Sequence, residues 1–346
     1  MKILIYSPAF LPNIGGLEMV VSILAHEFVR SGHEVKVVST TPATQEKAFP
    51  FEVIRKPSPW ELVELARWCD VFFQANISLK GIWPLLLLSR PYAVTHQGWY
   101  AKPNGNLGWR GHLKLFVTRF AHNISASHFV ADHVSCSSTV IPNPYLEDVF
   151  FLRKGITREK DLVFLGRLVS DKGVDLLLEA LARLKTQGLT PALTVVGSGP
   201  EEPSLRKQVR DLALDDQVDF IGPKIGRELA EVLNSHSILV APARWEEPFG
   251  IVALEGIACG CVVVGSERGG LKEAIGPCGV TFPNGDVEAL SIVLLELLRN
   301  RDQLPAYQEK AAEHLRRHTS AEVTKAYLRV FESAIGRESV PITDSL

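Results

Sequence analysis

The sequence of 346 residues lacks the short motifs that bind metals or redox cofactors. It contains no Asp-x-Asp, no His-Glu-x-x-His and no Cys-x-x-Cys, and its five cysteines are odd in number. These absences argue against a metal-dependent reaction and against a disulfide framework. We therefore expect no cofactor, no metal and a reducing, cytoplasmic compartment.

Long apolar runs and a strong net charge are also missing. The longest apolar segment that could cross a membrane, residues 81–89, is flanked by Lys80 and Arg90 and is far shorter than the about 18 residues that a span requires. The N-terminal residues lack the apolar core and cleavage site of a signal peptide. The formal net charge is −2, so nothing attracts nucleic acid generally. We expect a protein that neither crosses a bilayer nor binds nucleic acid.

Short β-branched segments alternate with amphipathic helical segments along both halves of the chain. This pattern predicts the α/β class, with two Rossmann-like, doubly wound domains whose parallel sheets are covered by helices. The periodicity is lost between residues 144 and 160, where two prolines and a mixed charge run occur. We place the first domain at 1–150 and the second at 151–320. The last helical segment, within 321–346, is expected to pack back on the first domain.

Ligands of such sheets bind beyond the carboxyl ends of the strands, so the loops after the strands are the candidate sites. After the first strand, Gly15 and Gly16 directly precede a helix. Adjacent glycines allow an anion to approach the backbone, and the N–H groups of the helix start are phosphate donors. The alternative is a tight strand-to-helix turn with no ligand.

Two cations open the second half in the same kind of position. Arg167 lies at a strand end and Lys172 at the start of the next helix. Two positive charges directed to one place suit a diphosphate that is bound without a metal. The alternative is a pair of solvated surface charges.

Two glutamates lie eight positions apart in a strongly apolar segment. Glu255 is the only charged residue from 249 to 265, and burying a lone carboxylate costs several kcal/mol, roughly, unless it is paired. Pro248 predicts a helix start, which places Glu247 just ahead of the helix and Glu255 about two turns inside it. Both carboxylates could accept hydrogen bonds from sugar hydroxyls. The helix start adds main-chain donors at Phe249, Gly250, Ile251 and Val252. The alternative is a helix-dipole acid and a buried ion pair.

One histidine lies in a comparable place in the first half. His96 follows a strand and precedes Gly98 by two positions. A lone histidine is usually structural, but a histidine on a loop at a strand end is well placed for catalysis or phosphate contact.

Together, the double glycine, GRLVSDKG, VVGSGP and EPFGIVALE resemble the retaining GT-B glycosyltransferases, in particular glycosyltransferase family 4 (glycosyl transferases group 1). The resemblance covers nearly the whole chain. It implies two Rossmann-like domains that face a central crevice, the first on the acceptor side and the second binding the donor. It also implies metal-independent transfer of a sugar from a nucleoside diphosphate to an acceptor hydroxyl, with retention at the anomeric carbon.

The resemblance assigns roles residue by residue. Arg167 and Lys172 hold the donor diphosphate with help from the Gly15–Gly16 loop, Glu255 binds the ribose, Glu247 and the main chain from Phe249 to Val252 bind the donor sugar, His96 lies near the transferred sugar, and Lys224 and Ile225 lie near the base. The expected catalytic residues are therefore His96, Arg167, Lys172 and Glu247, and we expect UDP-glucose as donor.

Two alternatives remain open, a nucleotide-sugar epimerase of the same architecture and a non-catalytic sugar-nucleotide-binding partner subunit. An epimerase would act on the donor without an acceptor. A partner subunit of this kind would lose the charged residues, all of which are present here.

The first domain also contains a basic, aromatic stretch. No acidic residue occurs between Asp70 and Asp132, whereas the stretch holds six cations: Lys80, Arg90, Lys102, Arg110, Lys114 and Arg119. Aromatic residues alternate with them: Trp99, Tyr100, Trp109, Phe116 and Phe120. This mixture is typical of a water–lipid interface. It predicts a lipid-linked, anionic acceptor glycan and peripheral attachment to the cytoplasmic leaflet, in the synthesis of a cell-surface polysaccharide or glycolipid. The alternative is a solvated basic face whose aromatic residues are core.

Overall fold

The computed structural model describes residues 1–13, 15–42, 48–98, 100, 107–153, 155–156 and 158–336. The chain forms two compact units. The first comprises Met1–Pro144 and the segment that begins at Ser320, and the second comprises Tyr145–Thr319. The chain thus passes from one unit to the other after residues 144 and 319. The sequence pattern places these two boundaries after residues 150 and 320.

The first unit contains a parallel sheet of seven strands. They are β1 (Lys2–Ser7), β2 (Glu34–Ser39), β3 (Glu52–Arg55), β4 (Val71–Ala75), β5 (Tyr92–His96), β6 (His122–Ser125) and β7 (Thr139–Val140). Their spatial order is β3-β2-β1-β4-β5-β6-β7, and each neighbouring pair is parallel. The central strands β4 and β5 are buried along their whole length, as strands covered on both faces must be.

Helices connect these strands. They are α1 (Gly16–Arg30), α2 (Pro59–Trp68), α3 (Leu79–Ile82), α4 (Trp109–Val117) and α5 (His128–Asp132). The start of α2 is fixed by a capping box, because the Ser58 hydroxyl accepts from the Glu61 N–H while the Glu61 carboxylate accepts from the Ser58 N–H. This cap holds the loop between β3 and α2.

The second unit repeats the pattern with six parallel strands. They are β8 (Lys160–Leu165), β9 (Leu193–Val196), β10 (Val218–Gly222), β11 (His236–Ala241), β12 (Val262–Ser266) and β13 (Gly279–Phe282). Their order is β10-β9-β8-β11-β12-β13. The helices are α6 (Val174–Thr186), α7 (Glu202–Asp211), α8 (Gly226–Asn234), α9 (Ile251–Ala258), α10 (Leu271–Ile275), α11 (Val287–Arg299), α12 (Leu304–Gln308) and α13 (Ala311–Arg316). The predicted α/β class with two doubly wound, Rossmann-like domains is confirmed.

The last helix, α14 (Ser320–Ala334), belongs to the first unit. Its Phe331 ring packs on Phe28 of α1 and on Phe73 of β4, with ring centroids 5.5 and 5.1 Å apart. The Tyr327 hydroxyl lies 2.8 Å from the Thr95 hydroxyl of β5. The final helix therefore completes the core of the unit that also holds the N-terminus.

Candidate functional site

The sheet of the second unit has the strand order of a dinucleotide-binding fold. Its first strand, β8, lies between β9 and β11, so the direction of winding reverses between β8 and β11. Ligands of open α/β sheets bind at this reversal, outside the carboxyl ends of the strands. The loops that follow β8, β9 and β11 are therefore the candidate site, and they carry Arg167, Lys172 and Glu247.

The loop with Arg167 is fixed by the loop after β9. The Gly166 N–H donates to the Val196 carbonyl at 3.0 Å, and the Leu168 N–H donates to the Ser198 carbonyl at 2.9 Å. A Cβ at Gly197 would lie 1.8 Å from the Gly166 carbonyl oxygen, so this close approach requires glycine. The Arg167 side chain is exposed and has no ion-pair partner in the described part of the chain. Its guanidinium is free to bind an anion.

Lys172 and Glu247 form an ion pair. Lys172 ends a short 3₁₀ turn, Ser170–Lys172, and Gly173 follows as the N-cap of α6. The Lys172 ammonium group donates to Glu247 Oε1, and both side chains are partly exposed. The structure therefore brings the predicted diphosphate-binding cation and the predicted sugar-binding carboxylate into direct contact.

The helix after β11 begins later than the sequence predicts. The predicted start was Pro248, but α9 begins at Ile251, because Gly250 adopts a left-handed conformation with φ of 94° and turns the chain just before the helix. Glu255 is consequently the fifth residue of α9, little more than one turn inside it. Glu247 lies in the preceding loop, where its carbonyl accepts from the Gly270 N–H at 2.7 Å.

The start of α9 offers main-chain donors, as expected. Between residues 249 and 252, no N–H group forms a hydrogen bond with any other described residue. The Phe249 ring is buried and packs on His318 with the ring centroids 5.7 Å apart. This packing fixes the main chain, so the donors are held ready for a ligand.

Glu255 has no counterion among the residues that the structure describes. Its neighbours along α9 are buried apolar residues, and its carboxyl group forms neither an ion pair nor a hydrogen bond within the described ranges. Burial raises the pKa of Glu255 to about 8. The alternative of a buried ion pair therefore has no support in the geometry.

The predicted base-binding residues lie after β10. Lys224 Nζ donates to Glu228 Oε2 at 3.3 Å, an exposed pair one helical turn apart. Ile225 precedes α8 and leaves an apolar side chain 61% exposed. This surface could pack against the flat face of a base.

The Gly15–Gly16 loop differs from an open phosphate site. Gly15 precedes α1, and a Cβ at Gly15 would lie 2.5 Å from Glu18 Oε2. A carboxylate of the chain itself therefore lies over the helix start, where an anion was expected. A diphosphate could approach this loop only if the flexible Glu18 side chain turned away.

His96 is built into the sheet and does not project from a loop. It is the last residue of β5 and is 0% exposed. Asn123 Oδ1 can only accept, so His96 Nε2 carries the proton and donates to it at 3.1 Å. In the neutral ring Nδ1 then accepts from the Tyr100 hydroxyl at 2.7 Å, and that hydroxyl accepts from the Ile77 N–H at 3.2 Å. Burial lowers the pKa of His96 to about 4. Both ring nitrogens have partners, so His96 could contact a transferred sugar only by giving up one of these hydrogen bonds.

The helix α4 and the 3₁₀ turn that follows it, Thr118–Phe120, carry the last part of the basic, aromatic stretch and expose apolar side chains. Trp109, Leu113, Phe116 and Phe120 are 70%, 41%, 52% and 68% exposed, and their spacing puts them on one face. Arg110 lies over the Trp109 ring at 5.2 Å and Arg119 over the Phe116 ring at 5.9 Å. Trp99 and Lys102 lie outside the described residues. We call Trp109, Leu113, Phe116 and Phe120 with their cations the α4 face.

Sequence reasoning missed two parts of this site. A second double glycine, Gly269–Gly270, precedes α10 and bonds the Glu247 main chain, and its resemblance to the first double glycine was the available signal. Arg244 forms an ion pair with Asp175 of α6, which ties the loop after β11 to the loop after β8. That contact joins residues distant in sequence, so spacing could not reveal it.

The second unit also matches a known protein family. Residues 150–315 match the family described as Glycosyl transferases group 1. The second unit is a glycosyl transferases group 1 domain. A D-inositol 3-phosphate glycosyltransferase of Saccharomonospora viridis is 32% identical over 185 residues, which cover 50% of this chain and 43% of that protein. The chain thus spans less than half of that relative's length.

Solved structures resemble the whole chain, not only the group 1 domain. The sucrose-phosphate synthase of Thermosynechococcus elongatus superposes with a TM-score of 0.79 at 19% identity. The superposition covers 97% of this chain and 100% of the synthase chain. The Anabaena protein Alr3699/HepE, solved in complex with UDP and glucose, also has a TM-score of 0.79 at 19% identity, with 96% and 100% covered. These likenesses confirm the GT-B fold.

Proposed function

We propose that the protein is a retaining glycosyltransferase that transfers a sugar, with UDP-glucose as the preferred donor, to an acceptor hydroxyl. The carrying observation is the Glu255 carboxyl group, which lies in an apolar helix and has no partner among the described residues. A ligand that donates hydrogen bonds would supply the partner that the Glu255 carboxyl group lacks, and vicinal ribose hydroxyls are such donors. The bound UDP and glucose of Alr3699/HepE support the choice of donor.

In this proposal different charged groups near α9 bind different parts of the donor. Arg167 and Lys172 bind the diphosphate and stabilise the negative charge that develops as it leaves. Glu247 and the N–H groups of residues 249–252 position the sugar. These two cations take the place of a metal, and no cofactor is required. His96 holds Tyr100 and Asn123 in place and acts on the reaction only through them.

The donor proposal predicts a selective thermal shift. UDP-glucose should raise the melting temperature more than UDP-galactose, UDP-N-acetylglucosamine or GDP-mannose, because only ligands of the folded state stabilise it, by about 2.7 kcal/mol at 100 times Kd. The Lys172→Ala variant is the control and should lose the shift. Slow hydrolysis of UDP-glucose, followed by NMR, should release glucose with the donor's anomeric configuration.

Two results would refute the donor proposal. One is the absence of a shift with every nucleotide sugar in a folded protein. The other is release of glucose with inverted configuration, which would exclude retention. Conversion of the donor into another nucleotide sugar without acceptor would instead identify an epimerase.

We further propose that the α4 face attaches the protein to the cytoplasmic leaflet, where the acceptor is a lipid-linked glycan. No helix in the described ranges is both long and apolar enough to span a bilayer. The aromatic side chains of the α4 face are exposed and not core, and cations lie beside them, as an anionic lipid surface requires.

This attachment predicts salt-sensitive binding to vesicles. Wild-type protein should sediment with vesicles containing phosphatidylglycerol at low salt and be released at high salt, because the Debye length falls to about 3 Å at 1 M. Neutralising Arg110, Lys114 and Arg119 should abolish sedimentation. The matched control neutralises Arg206, Lys207 and Arg210 on α7 and should change nothing. Failure of the wild type to bind at low salt would exclude the proposal.

A further inference from the structure

A small cleft lies in the first unit, and none of its lining residues belongs to the proposed donor site or to the α4 face. It has a volume of about 270 Å³ and opens beyond the carboxyl ends of β1, β2 and β3. Tyr6 comes from β1, Thr40 follows β2 and Lys56 follows β3. Lys80 of α3 and Trp83, just after α3, complete it. Ligands of open parallel sheets bind at this edge, so the position favours a ligand site.

The cleft is positively charged. Neither Lys56 nor Lys80 has an acidic partner in the described part of the chain, and no acidic side chain lines the cleft. Lys56 has a φ of 50°, a conformation that costs about 1 kcal/mol for a residue with a Cβ. The Lys56 N–H donates to the Ser39 carbonyl at 2.8 Å, which fixes this conformation. The fold therefore holds an unpaired cation at the cleft at some cost.

A tyrosine hydroxyl that faces the cleft provides an independent observation. Tyr6 as a residue is 4% exposed, and its hydroxyl lines the cleft and forms no hydrogen bond with any described residue. The buried polar atoms without a partner do not include this hydroxyl, so it is accessible from the cleft and can bond a ligand there. A Cβ at Gly81 would lie 2.5 Å from the Tyr6 ring, so the missing side chain at Gly81 is what allows the ring to lie against α3.

Polar and apolar groups in the cleft suit a sugar. The Thr40 hydroxyl donates to the Pro8 carbonyl at 2.6 Å and keeps lone pairs that can accept from a ligand hydroxyl. Trp83 is only partly buried and offers an apolar ring face to sugar C–H groups. Two ammonium groups beside these surfaces select a ligand that bears an anionic group as well as hydroxyls.

We propose that this cleft binds an anionic sugar unit of the acceptor, with its carboxylate or phosphate group at Lys56 and Lys80, a hydroxyl at Tyr6 and its ring against Trp83. The assignment to the acceptor rests on the proposed glycosyltransferase function, since the first unit lies outside the group 1 domain that binds the donor in that proposal. The binding of an anionic sugar is a property of the cleft itself.

Saturation-transfer NMR with monosaccharides tests the binding directly. Glucuronic acid and glucose 6-phosphate should give signals with the wild type, and glucose, the neutral match, should bind at least about tenfold more weakly because it lacks the charged group. Lys56→Gln with Lys80→Gln should abolish both signals. The control is Lys2→Gln, which makes the same kind of substitution once, at the opposite end of β1, and should leave both signals unchanged.

Tyr6→Phe is a second test that does not depend on surface charge. This variant should weaken glucuronic acid binding several-fold at an unchanged melting temperature, because the lost hydroxyl has no partner within the described chain. Equal binding of glucose and glucuronic acid by the wild type, or wild-type binding by the double lysine variant, would overturn the proposal.

The two proposals can fail separately. The double lysine variant should keep the full thermal shift with UDP-glucose, because both of its substitutions lie in the first unit and the proposed donor residues Arg167, Lys172, Glu247 and Glu255 lie in the second. Glucuronic acid binding by a protein that binds no nucleotide sugar would refute the proposed function and leave the cleft assignment standing. Binding of a nucleotide sugar without binding of glucuronic acid would refute the cleft assignment and leave the proposed glycosyltransferase function standing.

Discussion

Replacing Lys172 with alanine should lower kcat/KM for sugar transfer by about 100-fold or more, equivalent to ~3 kcal/mol of transition-state stabilisation. The variant loses a charge beside the leaving diphosphate and leaves the Glu247 carboxylate without its counterion. Folding should survive, because a partly exposed ion pair contributes about 1 kcal/mol or less to stability. Initial rates with UDP-glucose, with circular dichroism for folding, provide the measurement.

Two comparisons make the Lys172 result specific. Lys207→Ala removes an exposed ion pair with Asp211 on α7 and should leave transfer unchanged. A double-mutant cycle with Glu247→Gln should give strongly non-additive losses, because the two side chains touch. Near wild-type turnover by a folded Lys172→Ala variant would contradict the assignment of this residue to the diphosphate.

Glu255→Gln should weaken UDP binding about tenfold and yet stabilise the ligand-free protein. The carboxyl group has no partner within the described residues and burial raises its pKa, so the substitution removes a group whose ionisation the folded protein opposes and strands no cation. An undetected basic partner would give the opposite result, a large loss of stability. Calorimetric titration with UDP and denaturant unfolding without ligand measure the two effects.

The gain in stability should depend on pH in a defined window. The pKa of Glu255 is raised by burial from 4.5 to about 8, so between these values the folded protein keeps a proton that the unfolded chain has lost. Wild-type stability therefore falls through this contribution as pH rises from about 4.5 to 8. The difference between Glu255→Gln and the wild type should be near zero at pH 4 and largest above pH 8.

An exposed glutamate serves as the reference for the pH experiment. Glu228→Gln on α8 removes a solvent-exposed carboxylate and should change the free energy of unfolding by no more than about 0.5 kcal/mol at any pH. A pH-independent effect of Glu255→Gln would show that the Glu255 pKa is not raised.

The architecture could be predicted because it depends on local pattern. Buried parallel strands are short β-branched runs, and the helices that cover them are amphipathic, so periodicity alone gives the class. The positions of Arg167, Lys172 and Glu247 were also predictable, because each lies in a segment between an apolar strand and the next helix. The contact between Lys172 and Glu247 required only the general rule that carboxyl ends of parallel strands share one edge.

The remaining features depend on contacts that sequence spacing does not report. The start of α9 moved from Pro248 to Ile251 because Gly250 can adopt a left-handed turn, which competes with the preference of proline for a first helical turn. The hydrogen bonds that His96 forms with Tyr100 and Asn123 join separate segments, so spacing could not reveal them. The Tyr6 hydroxyl, which has no partner in the described part of the chain, and the left-handed Lys56 have no signature in the sequence.

The return of α14 to the first unit has a consequence for synthesis on the ribosome. The second unit is one continuous stretch, so it can fold as soon as Thr319 has left the exit tunnel. The first unit, although translated first, cannot close its core until Phe331 arrives to pack against Phe28 and Phe73. The usual vectorial order, in which the N-terminal domain matures first, is therefore reversed for the completion of this chain. Until then, the apolar surface that α14 covers stays open to chaperones in the nascent chain.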